Sequence, residues 1–173
     1  MAAGAVKIIG LDPGLQISGW GVIEAEGHQI RHVAHGTVTS TKTLTLPERL
    51  KEIYEGLAKV IETYMPEEAG VEETFVNTNA ASTLKLGQAR GVVMLAPALM
   101  GLPVAEYSAN RVKKAVVGAG HASKDQISLM VQMLLPKAGK VTKDAADALA
   151  VAICHAHYRT THHLLDAQKL KAS

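Results

Sequence analysis

The sequence predicts an α/β fold in which a mixed five-stranded sheet is flanked by helices. Three segments of strand type open the chain, and after them helical periodicity alternates with short strand-type segments. With 173 residues the chain is long enough for one well-buried domain and short for two. We expect residues 1–158 to form this single domain and residues 159–173 to form a flexible C-terminal tail.

The first three predicted strands form an antiparallel meander. The apolar run Val6–Asp12 is the first strand, and Pro13 with Gly14 ends it because a Pro-Gly pair turns the chain. Residues 18–24 and 30–39 are the second and third strands. Because short turns join these segments, we expect three neighbouring antiparallel strands.

The hydrophobic period changes after the meander. Apolar residues recur at helical spacing over residues 46–64, where Thr45 and Glu48 provide a capping box and Pro66 stops the helix. Pro97 is expected to kink or break the last turn of a later helix. Further strands are predicted at residues 70–74 and 103–107, and further helices at residues 79–100, 109–117, 124–135 and from the cap Thr142 to about His157.

Charge is unevenly distributed along the chain. The net charge is only +2, but residues 77–141 contain eight bases and two acids, whereas residues 48–73 contain eight acids and three bases. A basic region of this kind favours a polyanionic partner.

The cysteine content and the apolar segments of the sequence bear on the cellular location of the protein. Cys154 is the only cysteine, so the chain has no internal disulfide and no CxxC pair, which fits a reducing environment. The N-terminal residues lack the apolar core of a signal peptide, and no stretch approaches about 20 apolar residues. We therefore expect a cytoplasmic protein.

Four acids lie beside apolar neighbours, where an unpaired charge is costly. Asp12 ends the first strand, Glu72 lies in the fourth, and Asp144 and Asp147 share one face of the last helix because they are three residues apart. Oxygen-rich groups of acids suit magnesium or manganese, which indicates metal-assisted phosphodiester chemistry. Taken singly, Asp12 could instead form the turn and Asp144 could favour the helix dipole. Spacing alone leaves both explanations open.

Beyond the acids, several motifs occur in one order along the chain. They are Gly10-Leu-Asp-Pro-Gly14 with Ser18-Gly-Trp-Gly21, Val71-Glu-Glu-Thr-Phe75, Asn79-Ala-Ala-Ser-Thr-Leu-Lys-Leu-Gly-Gln-Ala-Arg-Gly91, Tyr107-Ser-Ala-Asn-Arg-Val-Lys113, Val117-Gly-Ala-Gly-His-Ala-Ser-Lys124 and Asp144-Ala-Ala-Asp-Ala-Leu-Ala150. Together they resemble the RuvC family of Holliday junction resolvases over roughly residues 6–158. Residues 84–91 and the Asp-Ala-Ala-Asp signature are specific in combination.

The resemblance implies a ribonuclease-H-like fold and a homodimer. It implies a magnesium-dependent crossover junction endodeoxyribonuclease that resolves four-way DNA junctions by paired symmetrical nicks. It also implies the RuvA–RuvB branch-migration complex as a partner. The acids that fall on the family's catalytic positions are Asp12, Glu72, Asp144 and Asp147.

A two-metal mechanism follows from that assignment. Two Mg²⁺ ions per active site, for which Mn²⁺ would substitute, clamp the attacking and leaving oxygens of the phosphodiester. We assign Asp12 the bridging position, Glu72 the ion that activates water, and the two acids of the last helix the other ion. The sequence does not fix the division among the last three acids. In-line attack would leave a 5′-phosphate and a 3′-hydroxyl.

The expected DNA contacts combine one aromatic with the basic half of the chain. By the resemblance, Phe75 falls on the aromatic at the junction core, and Lys113 and Lys124 fall on basic residues near the DNA. Phe75 would stack on an unpaired base, although a phenylalanine is more often part of a core. For any one of the other candidates, a solvated surface charge is the simpler explanation. These candidates are Lys85, Arg90, Arg111 and Lys114.

A dimer contact is expected at residues 86–100, where glycine and alanine alternate with leucine, valine and methionine. Small residues allow helices to approach closely, and the apolar surplus needs cover. Packing of the same face against the chain's own sheet is the alternative.

Three other functions remain open at this point. The same fold would suit another nuclease of the ribonuclease-H superfamily, acting on RNA–DNA hybrid or other branched DNA. A strand with Asp-x-Gly also opens ATP-binding sugar-kinase and actin-like domains, but these need a duplicated fold, for which 173 residues is too short. A junction-binding module without chemistry is the third, and a complete set of four acids argues against it.

Overall fold

The computed structural model of the chain describes residues 4–73 and 78–172. Phe75, the expected stacking residue, and Thr74, the expected end of the fourth strand, lie outside the described residues. No helix within these two ranges is long and apolar enough to cross a membrane.

The order of strands and helices is the one that the sequence predicts, with one additional 3₁₀ turn at Pro136–Ala138. The strands are β1 (Val6–Asp12), β2 (Ile17–Glu26), β3 (Gln29–Thr39), β4 (Glu68–Glu72) and β5 (Val104–Tyr107). The α-helices are α1 (Leu46–Tyr64), α2 (Ala80–Leu99), α3 (Ala109–Val117), α4 (Lys124–Leu134) and α5 (Lys143–Ala172).

The five strands form one mixed sheet in the order β3-β2-β1-β4-β5. β1, β2 and β3 pair antiparallel, whereas β4 pairs parallel with β1 and β5 pairs parallel with β4. This confirms the predicted meander followed by parallel strands. As a consequence, the carboxyl ends of β1, β4 and β5 meet at one edge of the sheet, the edge at which parallel sheets place their sites.

Local hydrogen bonds explain where the helices begin. The backbone N–H of Thr45 donates to the side chain of Glu48 at 2.8 Å, and that of Ser123 donates to Gln126 at 2.8 Å. Both are the predicted capping boxes, which satisfy N–H groups that have no partner inside the helix. The hydroxyl of Thr142 accepts from a backbone N–H in the first turn of α5 at 3.4 Å, as its predicted cap.

Helix α5 lies directly on the backbone of β1 and β2 because glycines leave room for it. A Cβ on Gly10 would lie 2.1 Å from the carbonyl oxygen of Ala148, and a Cβ on Gly19 would lie 2.1 Å from the carbonyl oxygen of Asp144. Glycine inside a strand often marks such a close approach. The first turns of α5 are therefore held over the ends of β1 and β2.

The sheet separates two apolar cores. Alternation along β1 shows the division: Ile9 and Leu11 face α1 and α2, whereas Ile8 faces the side of α3, α4 and α5. All three side chains are fully buried, so burial of both sheet faces fixes the register of β1.

One strand begins earlier than predicted. The sequence places the start of the fourth strand at Gly70, whereas β4 begins at Glu68, which pairs with Ile8 of β1. A glutamate is rarely buried unless it is paired, so the local sequence pattern does not predict Glu68 as part of a buried strand. Glu68 is buried because His155 and Arg159 of α5 pair with it.

Helix α2 ends within one residue of its predicted end, whereas α5 extends beyond its predicted end. α2 ends at Leu99, two residues after Pro97, and the N–H of Met100 donates to the carbonyl of Pro97 in a tight turn. α5 continues to Ala172, well past the predicted end at about His157. No glycine or proline follows residue 157, so the sequence has no stop signal there. The boundary between a domain and a tail at residue 158 stays a prediction.

Candidate active site

Two of the predicted acids lie side by side at the edge of the sheet. Asp12 is the last residue of β1 and Glu72 is the last residue of β4, and the parallel register pairs their neighbours Leu11 and Val71. The two carboxyl groups are close enough for each to influence the pKa of the other. A proton shared between them would remove the repulsion between two adjacent negative charges.

Helix α5 brings the third acid to this pair. Asp147 is only 14% exposed, and its negative charge contributes to raising the pKa of Asp12 and the pKa of Glu72. The charge of Asp144, one turn earlier in α5, contributes to raising the pKa of Asp147. The structure therefore gathers Asp12, Glu72 and Asp147 into one cluster, with Asp144 at its side.

Burial and mutual repulsion disfavour negative charge in the cluster. Burial, followed by the charges of Glu72 and Asp147, raises the pKa of Asp12 to about 8. Burial likewise raises the pKa of Glu72 and the pKa of Asp147. Near neutral pH the cluster therefore retains a proton that an added cation can displace.

Two lysines border the acids. The Nζ atom of Lys124 lies 3.3 Å from Oδ2 of Asp147, although the lysine side chain is 74% exposed. The charge of Asp147 raises the pKa of Lys124 in return. The positive charge of Lys113 also lowers the pKa of Glu72 and the pKa of Asp147 against the effect of burial. Both predicted DNA contacts thus lie within electrostatic reach of the acids.

The donor set fits a hard divalent cation, because it consists of partly buried carboxylate oxygens whose negative charges outnumber the two neighbouring lysines. Within residues 4–73 and 78–172, no group of three or more His, Cys, Asp or Glu side chains is already arranged around a metal position. Binding of an ion must therefore draw the carboxylates of the cluster together.

The other predicted DNA contacts differ in their surroundings. Lys85 and Lys114 are exposed, and the guanidinium of Arg111 lies 5.1 Å from the ring centroid of Tyr158. Arg90 instead pairs with Glu106 of the same chain. This ion pair joins α2 to β5, and the DNA contact expected of Arg90 stays a prediction.

The outer face of α2 is apolar. Leu84, Leu95 and Leu99 are largely exposed, and a Cβ on Gly87 or Gly91 would meet nothing within 4 Å. The predicted alternative, packing against the chain's own sheet, applies to the opposite face of α2, where Ala89, Val93 and Ala96 are buried. The exposed face stays available as the predicted dimer contact.

Sequence reasoning missed two features that position the site. Gly10 and Gly19 hold α5 against the sheet, and glycines inside strand patterns are a signal that could have indicated this close approach. The ion pair between Lys124 and Asp147 joins residues 23 positions apart and has no local signal.

The strand order, the acids at the ends of β1 and β4 and the acids on the last helix define the ribonuclease-H-like class of nuclease folds. A family model for the crossover junction endodeoxyribonuclease RuvC matches residues 8–155. The chain belongs to this family.

Curated relatives and a solved structure agree with this assignment. The RuvC of Rhodospirillum rubrum is 62% identical over 154 residues, covering 89% of this chain and 91% of the relative. The RuvC of Brucella anthropi is 58% identical over 154 residues, covering 89% of this chain and 90% of the relative. The structure of T. thermophilus RuvC in complex with a Holliday junction substrate superposes with a TM-score of 0.83 at 33% identity, covering 91% of this chain and 96% of that one.

Proposed function

We propose that this protein is a magnesium-dependent endonuclease that resolves four-way DNA junctions by paired symmetrical nicks. The carrying observation is the cluster of Asp12, Glu72 and Asp147 at the edge of the sheet, where burial and neighbouring acids disfavour negative charge unless a cation is present, in a chain that belongs to this family. The junction bound by the similar T. thermophilus protein supports the choice of substrate.

The residues that would hold the ions are the four predicted acids. Asp12 would take the bridging position, Glu72 would hold one ion, and Asp144 with Asp147 would hold the other. When bound, divalent ions supply an activated water and stabilise the departing 3′-oxygen. Mn²⁺ has the same preference for oxygen ligands and would substitute for Mg²⁺.

The chain's own contribution is to keep these carboxylates close before an ion arrives. A cation held between Asp12 and Glu72 would take the place of the proton that burial and the neighbouring acids favour there. Lys124 offsets part of the charge of Asp147 in the absence of metal. In-line attack at a phosphate held over this edge leaves a 5′-phosphate and a 3′-hydroxyl.

Basic residues beside the acids would place the DNA backbone over the site. Lys113 and Lys124 lie nearest the cluster, and the exposed Lys85, Arg111 and Lys114 extend the positive surface. Such contacts release counterions, so junction affinity should fall steeply as salt rises. Phe75 would stack on a base that the junction leaves unpaired, a contact worth about 1–3 kcal/mol.

A homodimer through the exposed apolar face of α2 would present two equivalent sites to two strands of one junction. This face includes Leu84, Leu95 and Leu99. Cooperation with RuvA–RuvB and a cytoplasmic location belong to the same proposal through the family.

The experiment is a cleavage assay on a synthetic four-way junction, with and without Mg²⁺, that maps the cut positions on all four strands. We expect paired cuts at symmetrical positions with Mg²⁺ and none in EDTA. Asp12→Asn should bind the junction and leave it uncut. Duplex DNA and an RNA–DNA hybrid serve as parallel substrates. Preferential cutting of the hybrid, or wild-type cutting by Asp12→Asn, would overturn the proposal.

A further inference from the structure

A buried chain of polar side chains joins β4, α5 and β5. The Nε2 atom of His155 lies 2.7 Å from Oε2 of Glu68, and Nδ1 of the same ring lies 2.9 Å from the hydroxyl of Tyr107. A carboxylate only accepts, so Nε2 donates to Glu68; in the neutral form of this tautomer, Nδ1 accepts from the hydroxyl of Tyr107. We call these three residues the polar chain.

Arg159 keeps the carboxylate of the polar chain ionised. Its Nε and Nη2 atoms donate to the two oxygens of Glu68 at 3.1 and 2.7 Å. Burial opposes ionisation of Glu68, but the hydrogen bonds from Arg159 and His155 outweigh it and lower the pKa to about 2. The acceptor for His155 is therefore present at every pH at which the protein works.

The polar chain and the proposed metal site lie on the same face of β4. Glu68, Gly70 and Glu72 occupy alternate positions of the strand, and alternate positions point to one face. Gly70 leaves room there: a Cβ at this position would lie 3.2 Å from Cβ of His155 and 3.4 Å from the ring of Tyr107.

Helix α5 has a row of three side chains on the side that faces this surface of β4. His155, Val151 and Asp147 follow at four-residue spacing and so lie on one side of the helix. Val151 lies against Gly70, midway along the row. At one end of the contact is the polar chain, and at the other end Asp147 acts electrostatically on Glu72.

Tyr107 links the polar chain to Glu72 by a second route. It is the β5 residue that pairs with Glu72 in the parallel register, and its carbonyl accepts from the N–H of Glu73 at 2.8 Å. The hydroxyl end of Tyr107 thus meets α5 while its backbone holds the strand end that carries Glu72.

We propose that His155, with Glu68 and Tyr107, is a positioning device that fixes α5 on β4 and so sets Asp147 against Glu72 for binding of a divalent cation. The inference rests on the proposed function. The rest of this helix face is small and apolar, so it sets how closely α5 approaches the sheet but adds no directional contact. Hydrogen bonds to a ring held at both nitrogens are directional and fix one register.

Two variants and one matched control separate positioning from general stability. Tyr107→Phe removes one hydroxyl and keeps the ring and the backbone, whereas His155→Phe removes both hydrogen bonds of the ring. Ile153→Ala removes buried apolar volume from the same helix without touching the polar chain. We expect Tyr107→Phe to weaken Mn²⁺ binding about tenfold, the lower end for residues that orient metal ligands. His155→Phe should weaken it further.

The measurement is thermal unfolding of the full chain, prepared without metal, over a series of MnCl₂ concentrations. A ligand that binds the folded state raises the Tm by an amount that grows with the logarithm of its concentration relative to its Kd. Ile153→Ala should lower the starting Tm but respond to Mn²⁺ like the wild type. Junction affinity in EDTA should stay unchanged in all three variants. Should His155→Phe not fold, Tyr107→Phe still decides the matter.

Two results would overturn the inference alone: a wild-type Mn²⁺ response in Tyr107→Phe, or an equally weakened response in Ile153→Ala. A wild-type chain that shows no response to Mn²⁺ would instead overturn the proposed function, on which the inference rests.

Discussion

Replacing Asp12 by asparagine should stabilise the metal-free protein, and the gain should grow with pH. The pKa of Asp12 is raised from 3.8 to about 8 in the folded chain, so the folded state holds its proton more tightly than the unfolded state. Below pH 3.8 both states are protonated and the residue costs nothing. As the pH rises towards 8 the unfolded chain ionises first, so wild-type stability falls; above 8 the full cost is present.

The size of the effect follows from the shift. About four pKa units at about 1.4 kcal/mol each give an upper limit of roughly 6 kcal/mol. Part of the shift comes from the charges of Glu72 and Asp147, which can themselves take up a proton, so we expect about 2–4 kcal/mol for Asp12→Asn at pH 8.5. For a chain of this length that is a Tm increase of about 4–16 °C. The asparagine side chain has nearly the same shape and can donate a hydrogen bond to the Glu72 carboxylate.

The assay is thermal and urea unfolding of both proteins in EDTA at pH values from 4.5 to 9. The stability difference should be small at pH 4.5 and increase steadily to pH 8.5. Added Mg²⁺ should stabilise the wild type at high pH and have little effect on Asp12→Asn. A variant that is no more stable than the wild type at pH 8.5 would refute the reasoning, because the acids would then not repel one another.

Three further predictions concern the same edge of the sheet. At limiting Mg²⁺ the nicking rate should rise with pH up to about 8, because the cation competes with the proton on the acid of β1; a pH-independent rate would contradict this. Lys124→Met should bind Mn²⁺ about two- to fivefold more tightly without DNA, because the lysine ammonium 3.3 Å from Asp147 is lost. Its junction affinity should fall. Weaker Mn²⁺ binding in calorimetry would contradict this prediction. Gly19→Ala should lower the free energy of unfolding in urea by more than about 3 kcal/mol, because its Cβ would meet the carbonyl of Asp144. Gly87→Ala lies in open space and should be neutral or slightly stabilising. Equal stability of the two variants would contradict the packing of α5.

Short-range signals explain what could be predicted from the sequence. The capping boxes at Thr45 and Ser123 connect residues three positions apart, so their outcome is decided locally. Asp12 and Glu72 could be placed together because Asp12 ends a predicted strand and Glu72 lies near the end of another, and parallel neighbours end at the same edge. The amphipathic patterns of β1 and α1 also needed only nearby residues.

Long-range pairing explains what the sequence missed. Glu68 was not recognised as a strand residue because the groups that make its burial tolerable, His155 and Arg159, lie about 90 positions away. The ion pair between Arg90 and Glu106 also joins two different elements and has no local signal, while the DNA contact expected of Arg90 stays a prediction. Pairings of this kind depend on the assembled sheet, and no local pattern encodes them.

The central claim is that acids from β1, β4 and α5 close around divalent cations. Anomalous diffraction from crystals soaked in Mn²⁺ tests it directly, because manganese is located independently of the protein atoms. We expect anomalous peaks within coordination distance of Asp12, with Glu72 and at least one acid of α5 as further ligands. Manganese bound elsewhere, with these carboxylates unmoved and without a peak between them, would contradict the account.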